Sequence, residues 1–213
     1  MSIEVKISKR PIYYKFAMNF LHKRVEKVKA NEGRELLWIL EHPTTYTAGI
    51  RSNNNEALDK KIKIINTNRG GKITLHNPGQ KIIYFVINLN NRKKDIRKFI
   101  TIIEESLIDF LFNYKIQARS FRDRVGIWVT KSDNINFDKE RKIGAIGLRV
   151  SKWITYHGLS FNINPDLDYY SNIYSCGLKD YKNTSLKELG KNISQNEFDS
   201  EFQKIFIEKL NKF

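Results

Sequence analysis

The chain contains one cysteine, Cys176, in the segment Tyr-Ser-Cys-Gly-Leu that spans residues 174–178. It follows a turn signal at Pro165–Asp166 and precedes a predicted helix, so we expect it in a loop, a common place for catalytic side chains. We also expect Gly177 to admit a ligand close to the backbone and to keep its N–H open as an oxyanion donor. A lone cysteine is more often a small buried hydrophobic side chain, and the residue by itself does not decide between the two interpretations.

A second candidate for chemistry is Lys142, which opens a stretch of small and apolar residues that ends at Arg149. An unassisted thiol is only a few per cent thiolate near neutral pH. A nearby ammonium group favours the thiolate and lowers the thiol pKa from about 8.5. Lys142 could therefore be the charge partner of Cys176, although a lysine here is also typical of the solvated start of a strand.

A third segment, Asn68–Gln80, has a glycine pair near its start and a Pro-Gly turn signal near its end. It lacks the spacing of a P-loop or of a dinucleotide-binding fingerprint. It is either a hairpin with glycines in the turn or a backbone wall against which a substrate lies, with His76 as a polar anchor. No histidine pair stands at a zinc spacing from a carboxylate or a cysteine, so we predict no metal.

The length and composition of the chain limit the kind of protein in which these residues occur. A chain of 213 residues with 40% hydrophobic residues is long enough to bury a core without disulfides, and we expect one catalytic domain over residues 1–213. The charged start Met1–Lys6 and the short apolar runs predict no signal peptide and no membrane span. With one cysteine, nothing favours secretion, so a cytoplasmic location is expected.

The net charge of +15 is compatible with three kinds of partner: nucleic acid, acidic membranes and acidic proteins. The sequence has no aromatic and basic signature of the common RNA-binding modules. We therefore expect no nucleic acid partner, and a basic nucleic-acid-binding module remains the alternative from another class.

The elements that must position these residues follow from periodicity. Apolar residues at helical spacing predict three helices, over residues 13–28, 96–114 and 198–213, and a cap signal predicts a short helix that starts at Thr184–Ser185. Their order indicates an α+β domain with helices on a mixed or antiparallel sheet. The predicted strands are Leu36–Leu40, Lys63–Ile65, Lys72–Leu75, Ile82–Ile87, Val125–Thr130, Ile143–Val150 and Trp153–Phe161.

Several motifs in the same order resemble one family, the lipoyl(octanoyl) transferases, over about residues 36–189. The family belongs to the biotin and lipoate protein ligase superfamily. The motifs are Leu40–Pro43, Arg69–His76, Pro78–Gln80, Lys142–Arg149, Tyr156–Leu159, Asn162–Asp166, Cys176–Gly177 and Thr184–Leu186.

This resemblance implies the fold of the biotin and lipoate protein ligases and the transfer of an octanoyl group, without a cofactor. The donor would be octanoyl-acyl carrier protein. The acceptor would be a lysine of lipoyl domains, in 2-oxoacid dehydrogenase complexes and in the glycine cleavage H protein. Cys176 matches the cysteine that carries the acyl thioester, and Lys142 matches the lysine that lowers its pKa. The matching substrate-contacting residues are Arg69, Gly70, Gly71, Lys72, Ile73, Thr74, Leu75, His76, Ala145, Ile146, Gly147, Gly158, Leu159 and Ser160.

The chain departs from the family pattern at Leu75, Asn77 and Ser175, where the family has tyrosine, glycine and proline. None of these changes removes a reacting group, and asparagine tolerates a positive φ better than most residues. The nearest alternative function is an ATP-dependent lipoate or biotin ligase of the same fold. Such an enzyme activates its acid as an adenylate and has no need of Cys176.

Overall fold

The computed structural model describes residues 3–133, 135, 137–174, 177 and 180–213. Cys176 and Ser175 lie outside these residues. The strands are β1 (Glu4–Ile7), β2 (Leu36–Leu40), β3 (Thr45–Ala48), β4 (Ile64–Asn66), β5 (Thr74–His76), β6 (Gln80–Asn88), β7 (Ile116–Arg119), β8 (Ile127–Ser132), β9 (Arg141–Ser151) and β10 (Ile154–Asn162), and the α-helices are α1 (Tyr14–Lys29), α2 (Ile96–Asn113) and α3 (Gln195–Asn211).

Seven strands form a large mixed sheet in the order β1-β2-β6-β10-β9-β8-β7, and β4-β3-β5 form a smaller sheet. In the large sheet β1 pairs in parallel with β2, and the other neighbours pair antiparallel. The predicted α+β class with helices on a mixed sheet is confirmed.

The central strand β6 shows how the sequence divides the core. All nine of its residues are buried, because both faces of the sheet are covered. Ile83, Phe85 and Ile87 join the cluster that contains α2 and α3, whereas the alternate residues Tyr84 and Val86 pack towards α1. This alternation is the two-residue period of a strand.

The three predicted helices and seven predicted strands are all present, and all but Leu36–Leu40 have shifted ends. The prediction missed three four-residue strands, β1, β3 and β7, which are too short to show a clear period. The short helix predicted at Thr184–Ser185 is wrong. The Ser185 hydroxyl does accept a hydrogen bond from the Glu188 N–H, but the segment forms one turn that ends at Gly190, whose φ is +71°.

Candidate active site

A narrow cavity lies on the α1 side of the large sheet, between the start of α1, the segment that leads into β5, and the middle of β9 and β10. Its floor is formed by strands β6, β9 and β10, and its opposite wall by residues of the glycine-paired segment. The lining residues are Tyr14, Arg69, Gly71, Lys72, Thr74, His76, Ile82, Tyr84, Ala145, Ile146, Gly147, His157, Gly158, Leu159 and Ser160.

Small residues on the floor bring the backbone close to the cavity. At Gly147 a Cβ atom would lie 3.1 Å from the Gly70 carbonyl oxygen, and at Gly158 it would overlap the Ile83 carbonyl oxygen. The Gly70 N–H also donates to the Leu148 carbonyl oxygen at 3.2 Å, so the opposite wall is tied directly to β9. The glycines of this segment therefore form a wall against β9.

Arg69 holds that wall in shape. Its guanidinium group donates to the Thr47 carbonyl oxygen at 2.6 Å, to the Lys72 carbonyl oxygen at 2.8 Å and to the Gly70 carbonyl oxygen at 2.9 Å. The side chain is buried. A buried cation requires such a set of acceptors, because it has lost its hydration.

Polar aromatic residues lie at the α1 end of the cavity. The Tyr84 hydroxyl donates to Nε2 of His42 at 2.7 Å, and Nδ1 of His42 donates to the Ile12 carbonyl oxygen. Nδ1 of His76 donates to Oε1 of Gln80 at 2.9 Å, and the His76 ring stacks on Tyr14. Burial lowers the pKa of His42 to about 4 and that of His76 well below its usual value, so both rings are neutral near pH 7.

His157 was not among the predicted site residues, although the Tyr156–Leu159 motif includes it. Strict alternation along β10 would direct its side chain away from that of Tyr156. Its backbone adopts a left-handed conformation, with φ of +62°. The rings of Tyr156 and His157 consequently stack with centroids 5.0 Å apart on the same side of the sheet. Nε2 of His157 bonds to Oδ1 of Asn68 at 2.7 Å, and burial lowers the pKa of His157 to about 3. Unusual backbone conformations of this kind concentrate at functional sites.

Lys142 lies beyond the other end of the cavity floor, next to a β-bulge. Trp128 pairs with Lys142 while its neighbour Ile127 pairs with Gly144, so Ile143 is the extra residue. Bulges re-aim side chains next to active sites. The Lys142 ammonium lies 5.4 Å from the centre of the Trp128 ring, and the residue is buried.

Backbone hydrogen bonds connect Lys142 to the chain that follows Cys176. The Lys142 N–H donates to the Lys182 carbonyl oxygen at 2.9 Å, and the Thr184 N–H donates to the Lys142 carbonyl oxygen at 2.8 Å. Lys182, which is bonded to Lys142, therefore stands six positions after Cys176 in the sequence. The approach of the Lys142 ammonium to the thiol remains a prediction.

Gly177 corrects one expectation. Its N–H donates to the Tyr174 carbonyl oxygen at 2.8 Å, so the prediction of an open oxyanion donor at this amide is wrong. The Gly177 N–H instead closes a turn in which the φ of Gly177 is +70°.

The predicted substrate-contacting residues divide into two sets. Most of them line the cavity, but Ile73 and Leu75 belong to the hydrophobic core of the smaller sheet, and Gly70 bonds to β9. Leu75, one of the departures from the family pattern, is thus a core residue. Asn77 precedes Pro78 and Gly79 in a turn that needs a positive φ at Gly79 and not at Asn77.

The fold is similar to that of a lipoate-protein ligase of known structure. The structure resembles that of lipoate-protein ligase A bound with ATP, with a TM-score of 0.74, 17% identity and coverage of 99% of this chain and 86% of that chain. At this level of identity the similarity shows the shared fold.

Sequence similarity then gives the family. The model of the lipoyl protein ligase A/B catalytic domain matches residues 13–207. An octanoyltransferase of Wolbachia sp. subsp. Brugia malayi is 42% identical over 96% of this chain and 100% of its own length. One of Ehrlichia chaffeensis is 41% identical over 99% of this chain and 97% of its own length. The chain belongs to the lipoyl protein ligase A/B family, as these octanoyltransferases do.

Two kinds of feature are absent from the described residues. None of the helices there has both the length and the apolar character needed to cross a membrane. Within the same residues, histidine, cysteine and acidic side chains do not gather in a group of three that could hold a metal ion.

Proposed function

We propose that residues 1–213 form one catalytic domain that transfers an octanoyl group from octanoyl-acyl carrier protein to a lysine of lipoyl domains, through a thioester on Cys176. The observation that carries the proposal is the near-full-length similarity to octanoyltransferases. The cavity supports it, since its floor combines the small residues Ala145, Gly147 and Gly158 with apolar side chains.

The apolar part of the cavity lining, with Ile82, Ile146 and Leu159, suits the alkyl part of the substrate. Each buried methylene group contributes about 0.8 kcal/mol, so an eight-carbon chain is a substantial anchor. Neutral His76 and His157 in the lining suit this role because a charged imidazolium next to an alkyl chain would be poorly solvated.

The first half of the reaction forms the acyl-enzyme. The Cys176 thiolate attacks the thioester carbonyl of the donor, the bond between the carbonyl carbon and the carrier sulfur breaks, and the carrier thiolate takes a proton from the Lys142 ammonium. The carrier leaves as a free thiol, and Lys142 becomes a neutral amine.

The second half transfers the acyl group to the acceptor. The neutral amine of the acceptor lysine attacks the Cys176 thioester and forms an amide, while its proton passes to Lys142 and the thiolate is released. The ammonium and the thiolate are then restored, so no external reagent is consumed.

The partners follow from this chemistry. Donor and acceptor would be acyl carrier protein and the lipoyl domains of 2-oxoacid dehydrogenase complexes and the glycine cleavage H protein. With a net charge of +15, this chain would attract such acidic partners. A reactive thiol suits the reducing cytoplasm, where we place the reaction.

The test separates transfer from ATP-dependent ligation. Cys176→Ala and the wild type would be assayed for octanoyl transfer from an acylated carrier protein to a lipoyl domain, with and without ATP. We expect wild-type transfer without ATP and its loss in Cys176→Ala. Transfer by Cys176→Ala that requires ATP and free acid would instead support a ligase.

A further inference from the structure

Glu56 connects the glycine-paired segment to the loop that leads to Cys176. One carboxylate oxygen pairs with the Lys72 ammonium at 3.0 Å, and the other accepts the Ile73 N–H at 3.1 Å. The Glu56 carbonyl oxygen accepts the Tyr174 N–H at 2.8 Å. The Glu56 side chain is 4% exposed, so the Lys72 ammonium and the Ile73 N–H are the groups that offset its lost hydration.

The contact continues from Lys72 to Gly177. A Cβ atom on Gly177 would lie 2.5 Å from the Lys72 ammonium nitrogen and 2.7 Å from its Cδ. The lysine side chain therefore lies directly against the residue that follows Cys176 in the chain. The residues after Glu56 are also bonded to the chain before Cys176, because the Leu58 N–H donates to the Asn172 carbonyl oxygen at 2.9 Å and Ala57 forms a β-bridge with Ile173.

We propose that the Glu56–Lys72 ion pair holds Tyr174 and Gly177, the described residues on either side of Cys176, against the glycine-paired segment and so sets the charge that the Cys176 thiol experiences. This inference rests on the proposed role of Cys176. Glu56 is a positioning residue: it acts through Lys72 and the backbone of Tyr174. Lys72 supplies a positive charge one peptide unit from the cysteine, in addition to the one expected from Lys142.

The two members of the pair have opposite electrostatic effects on the thiol. Loss of the Lys72 charge leaves the Glu56 carboxylate uncompensated, which disfavours a thiolate nearby and raises the thiol pKa. Loss of the Glu56 charge leaves Lys72 as an unbalanced cation, which favours the thiolate and lowers the thiol pKa. A purely structural role would disturb the loop in the same direction in both variants.

Other charged groups near the loop stay constant in this comparison. Lys142 and Arg124 lie over the Trp128 ring, and Asp180 and Lys182 follow in the chain with exposed side chains. Because none of them is altered, the difference between variants reports on the Glu56–Lys72 pair.

The test is the pH dependence of thiol alkylation by iodoacetamide. Cys176 is the only cysteine of the chain, so the rate reports on this thiol without any further substitution. We expect Lys72→Met to raise the thiol pKa and Glu56→Gln to lower it, each by about 0.5–1 unit because Lys72 is partly exposed. The double variant Glu56→Gln/Lys72→Gln should stay close to the wild type.

The matched control is the ion pair between Arg24 and Glu4, which joins α1 to β1 at 2.7 Å. Arg24→Met and Glu4→Gln should leave the alkylation profile unchanged. Shifts of the same sign in Lys72→Met and Glu56→Gln, or no shift in either, would overturn the inference. Should Glu56→Gln not fold, an unchanged thiol pKa in Lys72→Met would overturn it alone.

This measurement needs no acyl substrate, so it is independent of the proposed function. Incubation of the wild type with an acylated carrier protein, followed by mass measurement, tests that function separately. Opposite shifts without an acyl adduct would support the electrostatic pair and contradict the thioester.

Discussion

The two faces of the large sheet are built from different kinds of residues. The face towards α2 and α3 is mostly apolar, with a row of stacked rings from Phe161 through Phe198 and Phe202 to Phe206. The face towards the cavity buries Arg69 and three histidines beside aromatic residues. The first face gains stability from burial, whereas the second retains polar groups that need partners.

Two buried lysines illustrate the difference. Lys81 pairs with Asp199 of α3 at 2.9 Å and so joins the sheet to a helix. Lys142 lies over Trp128 near the cysteine loop. We infer that one lysine serves the architecture and the other the chemistry.

The largest expected effect is on the rate of acyl-enzyme formation, and it should distinguish Lys142 from Lys81. Lys142→Met should slow acyl-enzyme formation by about 10²–10³-fold at pH 7, because the thiolate and the leaving group lose their cation and proton donor. Lys81→Met should instead lower the free energy of unfolding by about 3 kcal/mol, because the buried Asp199 loses its partner. Single-turnover acylation and urea unfolding measure the two effects. Equal loss of acylation in both variants would remove the distinction.

The next effect tests the apolar face. Phe202→Ala should lower the free energy of unfolding by about 3–5 kcal/mol, since a fully buried ring leaves a cavity. Acylation per folded molecule should not change. Phe112→Ala is the control, because that ring is 72% exposed and its loss should cost less than about 0.5 kcal/mol. A small loss in Phe202→Ala would argue against the row of rings as a source of stability.

The smallest effect concerns pH and the polar face. His42 has a pKa of about 4 in the folded state, below the value of about 6.5 in the unfolded state. Between pH 6.5 and 4 the unfolded state therefore binds more protons than the folded state does. Stability from neutral His42 is therefore complete above pH 6.5 and falls by up to about 3 kcal/mol by pH 4.

Urea unfolding at several pH values tests this window. His42→Gln should show a shallower loss of stability between pH 6.5 and 4 than the wild type. His22→Gln is the control, since His22 is exposed on α1. An unchanged pH dependence in His42→Gln would show that His42 is not a source of the acid sensitivity.

Much of the fold could be predicted because long elements bury one or both faces. The periods of α1, α2 and α3 and the apolar run of β6 place them in the sequence directly. Short strands such as β1 and β7 have only four residues each, so their periods carry little information. The turn after Thr184 has a genuine cap at Ser185, but Gly190 ends it before a helix forms.

The family motifs indicated most of the residues that line the cavity. The sequence does not indicate the side chains whose direction depends on local backbone geometry. Alternation places His157 with the core, yet its positive φ directs the ring into the cavity. The bulge at Ile143 likewise changes the phase of β9 beside Lys142. Tyr14 and Tyr84 reach the cavity only through tertiary packing. No sequence period reports such features.

The most direct test of the central claim is the intact mass of the chain after incubation with octanoylated carrier protein. We predict an added octanoyl group on the wild type that hydroxylamine removes, as expected for a thioester, and no addition to Cys176→Ala. An active wild type without a covalent addition, or an identical adduct on Cys176→Ala, would contradict the account.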